Sequence, residues 1–241
     1  KDAIIATNTS SISINTLGSE LKNKKNFVGV HFFNPVNMMP LVEIIPHKET
    51  SKKTLNRVKE LLTSCGKTPI VVGDCAGFIV NRILLPYINE AGFILEQGSD
   101  IETIDKILKD FGLPMGPFIL ADTVGIDIGF KVATILNESY GDRMQIAPLL
   151  TKVYEDLGLL GKKSKAGFYT HTRKEVEVNE QVLALLDKKR EPIVETEILQ
   201  RCIYIMINEA SRCLEENIVT DPSIIDFAMI TGTGFPPYRG G

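Results

Sequence analysis

Up to Cys75, short apolar runs alternate with polar stretches of helical period, the pattern expected of a layered α/β structure. Ala3 to Thr7, Phe27 to Phe33 and Leu41 to Ile45 are apolar or β-branched and bounded by Asn, Pro or Gly, which predicts strands. Between Thr50 and Gly66 the apolar positions Leu55, Val58, Leu61, Leu62 and Cys65 recur at helical spacing, and Gly66 suits a C-terminal cap. Ile70 to Val72 predicts a fourth strand. From Gly77 onward the period changes: Ile79, Ile83, Leu84, Tyr87, Ile88, Ala91, Ile94 and Leu95 trace one face of a long helix, with Pro86 inside it as an expected kink. Ser99 and Glu102 then form a capping box for a helix running to about Phe111, stopped by Gly112 and Pro114.

The helical part repeats. RILLPYINEAGFILE, Arg82 to Glu96, aligns without gaps onto RCIYIMINEASRCLE, Arg201 to Glu215. Ile104-Asp105 then corresponds to Ile225-Asp226 after a two-residue insertion, and the turn GLPMGPF is echoed by GTGFPPYRGG, so a duplicated helical unit is expected. Lys162 to Arg190, polar and lysine-rich apart from Gly167-Phe168-Tyr169, reads as a link between helical domains.

Composition narrows the field. With 241 residues, 44% hydrophobic and 24% charged, the chain can bury a substantial core, and a formal charge of -3 indicates neither a disordered tail nor a general nucleic-acid footprint. No apolar run approaches the roughly 20 residues that span a bilayer, and the N-terminus lacks a signal-peptide layout, so a soluble, intracellular protein is expected, cytoplasmic or, in a eukaryote, peroxisomal or in the mitochondrial matrix. Cys65, Cys75, Cys202 and Cys213 form no CxxC pair and are expected to be reduced core residues.

Candidate chemistry begins at GVHFFNP, where His31 closes an apolar strand just before a proline-directed turn. Strand ends of open α/β sheets are where ligands sit, and an imidazole suits proton abstraction from an alcohol. Glu43 interrupts the apolar run LVEII. Either it faces solvent from an edge strand, or it is buried and paired with His31, fixing the tautomer of a general base.

Six motifs in order, NTSSISI, GVHFFNPV, LVEIIP, GFIVNR, PMGPF and GKKSKAGFY, resemble those of L-3-hydroxyacyl-CoA dehydrogenases, and the second helical copy resembles the tail of multifunctional fatty-acid-oxidation proteins. The resemblance implies an NAD-dependent oxidation of L-3-hydroxyacyl-CoA to 3-ketoacyl-CoA in β-oxidation. It implies His31 as catalytic base and Glu43 as its orienting partner. Ser10 and Asn81 would contact substrate; Ser10, Asn34 and Lys163 would contact the cofactor. Read without the resemblance, Ser10 is a helix or turn cap, Asn34 a turn former before Pro35, Asn81 a polar residue near a helix start and Lys163 part of a solvated charge run. Thr231 stands where some multifunctional relatives carry a substrate-side tyrosine, and no role is assigned to it.

The family's glycine-rich phosphate loop is expected upstream of Lys1, since no GxGxxG occurs in these residues, and NAD binding by them alone is expected to be weak. The expected fold is α/β followed by all-α: a partial Rossmann-like sheet over residues 1–75, a first helical dehydrogenase domain over 76–172, and a linker with a partial second helical domain over 173–241. Expected partners are an acyl-CoA substrate and either β-oxidation complex subunits or a second copy of the chain, with no nucleic acid and no metal. The rival expectation is a non-catalytic helical assembly module that binds no nucleotide.

Overall fold

In a computed structural model the described residues are 3–172, 175–187 and 191–241. The chain divides into two compact units, one built from Lys1–Arg82 with Ala210–Gly241, the other from Ile83–Glu209.

The first unit is organised by a four-stranded sheet in the order β1 (Ile5–Thr7), β2 (Phe27–Phe32), β3 (Leu41–Pro46), β4 (Thr68–Val71). β1 and β2 run parallel, β2 and β3 antiparallel, and β3 and β4 parallel. Helix α1 (Ile14–Gly18) lies between β1 and β2 in sequence, and α2 (Lys52–Ser64) between β3 and β4. The strand alternation splits the sheet into two faces. Val28, Val30, Val42 and Ile44 pack with Val58 and Leu62 of α2. The other face presents Gly29, His31, Leu41, Glu43 and Ile45, and Gly29 leaves room for Ile14, which a Cβ there would meet at 2.7 Å.

α2 meets the sheet through the buried row Thr54, Val58, Leu62, spaced four apart. Leu61, 62% exposed, and Cys65, also exposed, therefore fall outside the apolar face expected of them: they sit on the flank of that row, and one sheet face covers a narrower arc than the five apolar positions span. Cys202 and Cys213 are buried as expected, whereas Cys75 is half-buried; none of the four is in a disulfide among the described residues.

Two long helices begin in one unit and continue in the other: α3 (Val80–Gln97) and, near the C-terminus, α9 (Glu195–Glu215). The first unit is completed by α10 (Pro222–Thr233), whose Gly232 faces Leu41 of β3, and by Gly73 N–H donating to the Ile218 carbonyl at 2.7 Å. In the same unit, Arg82, fully buried, holds both carboxylate oxygens of Glu216 at 2.7 and 2.8 Å.

The second unit contains α4 (Ile101–Phe111), α5 (Pro117–Val124), α6 (Ile126–Tyr140), α7 (Pro148–Thr151), the hairpin β5 (Tyr169–His171) and β6 (Val176–Val178), and α8 (Glu180–Leu183). The cap of α4 is Asp100, whose carboxylate accepts from Thr103 N–H at 2.8 Å. Ser99, expected in that role, is buried, and its hydroxyl accepts instead from Ile193 N–H. Two buried carboxylates bind backbone between elements. Asp105 accepts from Phe118 N–H (2.9 Å), Ile119 N–H (3.2 Å) and the Tyr169 hydroxyl (2.8 Å). Asp122 accepts from Phe168 N–H and Tyr169 N–H, both at 2.9 Å, and stands 2.7 Å from His171 Nε2. The segment expected to be a linker is thus folded against α4 and α5, with Phe168 and Val182 wholly buried, because Asp122 and Asp105 satisfy its backbone and Tyr169. Arg201 of α9 donates to Glu90 and Gln97 of α3, both at 2.6 Å.

Among the described residues no helix is long and apolar enough to cross a membrane, and no group of three or more His, Cys, Asp or Glu could hold a metal ion.

Candidate active site

His31 is the last residue but one of β2, and Glu43 is its direct partner across the antiparallel pairing with β3. Directly opposed residues on adjacent antiparallel strands project from the same face, so the register itself brings these side chains together. His31 Nδ1 stands 2.7 Å from Glu43 Oε2, with Glu43 fully buried and His31 nearly so. A carboxylate only accepts, so Nδ1 carries the proton and donates it, leaving Nε2 as the ring nitrogen with a lone pair.

Glu43 is also held from behind. Its Oε1 accepts from Ile79 N–H at 3.0 Å and Val80 N–H at 3.1 Å. These are unpaired donors at the start of α3, where the helix presents its positive end. The burial of a charged group is thereby offset by three hydrogen bonds and the helix field. The turn that delivers these amides is Gly77-Phe78, both with positive φ (74° and 48°), and Phe78 is fully buried. Its ring lies 5.6 Å from that of His31, and Phe33 meets His31 edge-on at 4.8 Å, so aromatic rings flank the imidazole.

The other expected residues divide. Ser10 lies in the loop after β1 and is half-buried; Asn34 follows β2, exposed, at a cis bond to Pro35; Asn81 is the second residue of α3. None of these three side chains makes a hydrogen bond among the described residues, which leaves polar groups free at the end of the sheet where His31 stands. Lys163 lies in the second unit, where it is ion-paired with Asp127 in the first turn of α6. The sequence reading missed the amides of Ile79 and Val80 and the ring of Phe78. Gly77, directly before the helical period begins, is the signal that marks such a turn.

The model of the 3-hydroxyacyl-CoA dehydrogenase NAD-binding domain matches residues 1–75, and that of the 3-hydroxyacyl-CoA dehydrogenase C-terminal domain matches residues 77–171. The chain belongs to the 3-hydroxyacyl-CoA dehydrogenase family. Within this family it is 45% identical over 241 residues to the fatty acid oxidation complex subunit alpha of Vibrio campbellii, and 47% identical over 240 residues to that of Vibrio cholerae. These alignments cover 100% and 99% of the chain, which spans 34% of the length of either relative. Among solved structures, 3-hydroxybutyryl-CoA dehydrogenase from Escherichia coli K12 matches with a TM-score of 0.81 at 27% identity, covering 97% of this chain and 66% of that one. The dehydrogenase part of multifunctional enzyme 1 from C. elegans matches with a TM-score of 0.65 at 33% identity, covering 97% of this chain and 54% of that one.

Proposed function

We propose that these residues form part of an enzyme that oxidises the L-3-hydroxyl of an acyl-CoA to a 3-ketone with NAD as acceptor. The observation that carries the reading is the chain of contacts from the start of α3 through Glu43 to His31, in a member of this family. His31 Nε2 takes the hydroxyl proton as general base. The imidazolium so formed is stabilised by the Glu43 carboxylate, which the α3 amides hold fixed in direction. Ser10 and Asn81 position the substrate oxygens, Ser10 and Asn34 meet the nicotinamide end of the cofactor, and Lys163 contributes to cofactor binding by exchanging Asp127 for it. NAD, when bound, supplies the hydride acceptor. The free polar side chains beside His31 fit such a ligand.

The proposed organisation is the C-terminal part of an NAD-binding domain over 1–75, a helical dehydrogenase domain over 76–172, and a linker with a partial second copy of that helical domain over 173–241. Support for the copy comes from paired contacts: the sequence register that lays Arg82 on Arg201 also lays Gln97 on Glu216, and Arg82 binds Glu216 while Arg201 binds Gln97. Because its relatives are named as subunits of fatty acid oxidation complexes, the proposed setting is such a complex or a homo-oligomer, with the cytoplasm as the proposed compartment.

The test is NADH formation from 3-hydroxybutyryl-CoA by the longer polypeptide that carries these residues together with a glycine-rich nucleotide loop. His31→Ala should lower kcat by about 10² to 10⁴-fold with little change in KM. A variant that keeps near-parental kcat would remove His31 from this role.

A further inference from the structure

The loop that carries Ser10 is tied down at both ends within the first unit. At its start, Asn8 Oδ1 accepts from Phe32 N–H at 3.1 Å, on the residue next to His31. Inside the loop, Thr9 Oγ1 accepts from Ile12 N–H at 3.0 Å and from Ser11 N–H at 3.4 Å, a local turn around Ser10. At its end stands Asp74, half-buried and distant in sequence. Asp74 Oδ1 accepts from Ile14 N–H at 3.0 Å. Its Oδ2 accepts from the Ser13 hydroxyl at 2.7 Å, from Asn15 N–H at 2.8 Å and from Asn15 Nδ2 at 2.7 Å. The short helix α1 already has a cap of its own, since Ser13 Oγ accepts from Thr16 N–H at 3.2 Å. Asp74 therefore does more than end a helix: it joins the loop to another part of the chain.

That other part is the segment that aims the general base. The backbone around Asp74 is anchored on both sides: Val72 N–H donates to the Ile44 carbonyl at 3.0 Å, Gly73 N–H to the Ile218 carbonyl at 2.7 Å, and Phe78 N–H to the Cys75 carbonyl at 3.1 Å. Gly77 and Phe78, which follow closely, form the turn that delivers the Ile79 and Val80 amides to Glu43. On the loop side, Ile14 is fully buried and packs at Gly29, on the sheet face that carries His31. Asn15 Oδ1 accepts in addition from Lys48 N–H at 2.9 Å, beyond the end of β3. One carboxylate thus links the Ser10 loop to the turn behind Glu43, and the first residues of the loop are linked to the strand of His31.

We propose that Asp74 is a positioning residue that acts on the reaction through Ser10, by holding residues 8–15 in fixed relation to the Gly77-Phe78 turn. The proposal rests on the dehydrogenase reading, in which Ser10 meets the substrate and the nicotinamide end of the cofactor. Orientation at a reacting centre is sensitive: a displacement of about 1 Å can cost on the order of 10²-fold in rate. Asp74→Asn disturbs the tether with little change of shape. Whichever way the new amide turns, its N–H groups meet at least one of the loop N–H donors that the carboxylate accepted from.

The experiment is a double-mutant cycle in the full polypeptide, with 3-hydroxybutyryl-CoA and NAD, on Asp74→Asn, Ser10→Ala and the two combined. Each single variant is expected to lower kcat/KM by about tenfold or more. The double variant should fall within about threefold of the worse single one, because with the Ser10 hydroxyl gone its misplacement has nothing left to cost. Ser51→Ala, which uncaps α2 on the opposite face of the sheet, should lower the unfolding midpoint and leave kcat/KM unchanged. Amide exchange without NAD or substrate gives a second readout: in Asp74→Asn the Ile12 and Ile14 amides should exchange at least tenfold faster, with Val28 and Val30 of β2 unaffected. If Asp74→Asn does not fold, Ser13→Ala, which removes one of the four bonds, takes its place in both measurements. Losses that multiply in the double variant, a Ser10→Ala enzyme with parental kcat/KM, or unchanged exchange at Ile12 and Ile14 would each overturn the positioning role and leave the dehydrogenase reading standing. A parent that does not oxidise the substrate would overturn the dehydrogenase reading itself, while the exchange measurement still decides whether Asp74 holds the loop.

Discussion

Glu43 is gripped on both oxygens, and that grip makes its replacement informative. In Glu43→Gln the side-chain oxygen is drawn to the Ile79 and Val80 amides, because only it can accept from them. The amide nitrogen is then left facing His31 Nδ1, a donor against what must become an acceptor, so the imidazole proton moves to Nε2 and the base is lost. Glu43→Gln is expected to lower kcat by about 10² to 10⁴-fold despite being nearly isosteric, with thermal stability changed much less than in Glu43→Leu, which leaves two buried amides without an acceptor. A Gln variant with kcat within a few-fold of the parent would show that the carboxylate does not set the tautomer. The pairing was legible because a lone charged residue in an apolar strand needs a partner and His31 offered one on the adjacent strand. What holds Glu43 from behind was not legible: backbone amides carry no side-chain signature, and their delivery depends on Gly77 and Phe78 adopting positive φ.

Between elements, two aspartates do what the apolar pattern alone does not. Asp105 lies on the buried face of α4 with Ile101, Ile104 and Leu108, and an acidic residue at an apolar-face position is a signal that the segment's hydrophobic count passes over. Burial pushes its carboxyl up to about 6, against the pull of the Phe118 amide and the Tyr169 hydroxyl, and burial likewise raises Asp122. A raised folded-state pKa favours the protonated form in the native protein. Its stabilising contribution is complete below the unfolded value of 3.8 and is lost as pH rises through about 6. The change is worth on the order of 3 kcal/mol. Denaturant unfolding of parent and Asp105→Asn at steps from pH 4 to pH 7 should give a stability difference between the two proteins that shifts across this window, since residue 105 titrates only in the parent. Parallel stability profiles would show that Asp105 carries no such shift. The same residues explain why Lys162 to Arg190 reads as a linker in sequence: its polar composition conceals that Asp122 binds the Phe168 and Tyr169 amides, that Asp105 binds the Tyr169 hydroxyl, and that Asn179 Nδ2 donates to the Gly167 carbonyl at 2.8 Å.

At the scale of the whole chain, the boundaries drawn along the sequence differ from the boundaries drawn by packing. The family models match residues 1–75 and 77–171, yet the unit that contains His31 and Glu43 also includes Ala210–Gly241. The reason is in the face of the sheet opposite α2. Leu41 is fully buried, Val80 nearly so, and Gly232 of α10 sits so close that a Cβ on it would come within 2.7 Å of Leu41 Cδ2 and 3.3 Å of a Val80 methyl. Ile218 adds a backbone bond to Gly73, and Glu216 receives the buried Arg82 guanidinium. Removing residues 210–241 would therefore expose Leu41 and loosen the start of α3, where Val80 also donates to Glu43. Uncovering one or two buried aliphatic side chains costs about 1.5 to 3 kcal/mol each, a large share of the stability of any domain. A chain ending at Glu209 should consequently lose amide-exchange protection along β3, at Val42 and Ile44, by at least tenfold, although every residue matched by the family models remains. Gly232→Val makes the same test without truncation: its branched side chain must displace Leu41 or Val80, and it should lower the unfolding midpoint while leaving the length of the chain unchanged. Full protection of β3 in the truncated chain, together with an unperturbed midpoint for Gly232→Val, would mean that the C-terminal segment rests on the sheet without supporting it.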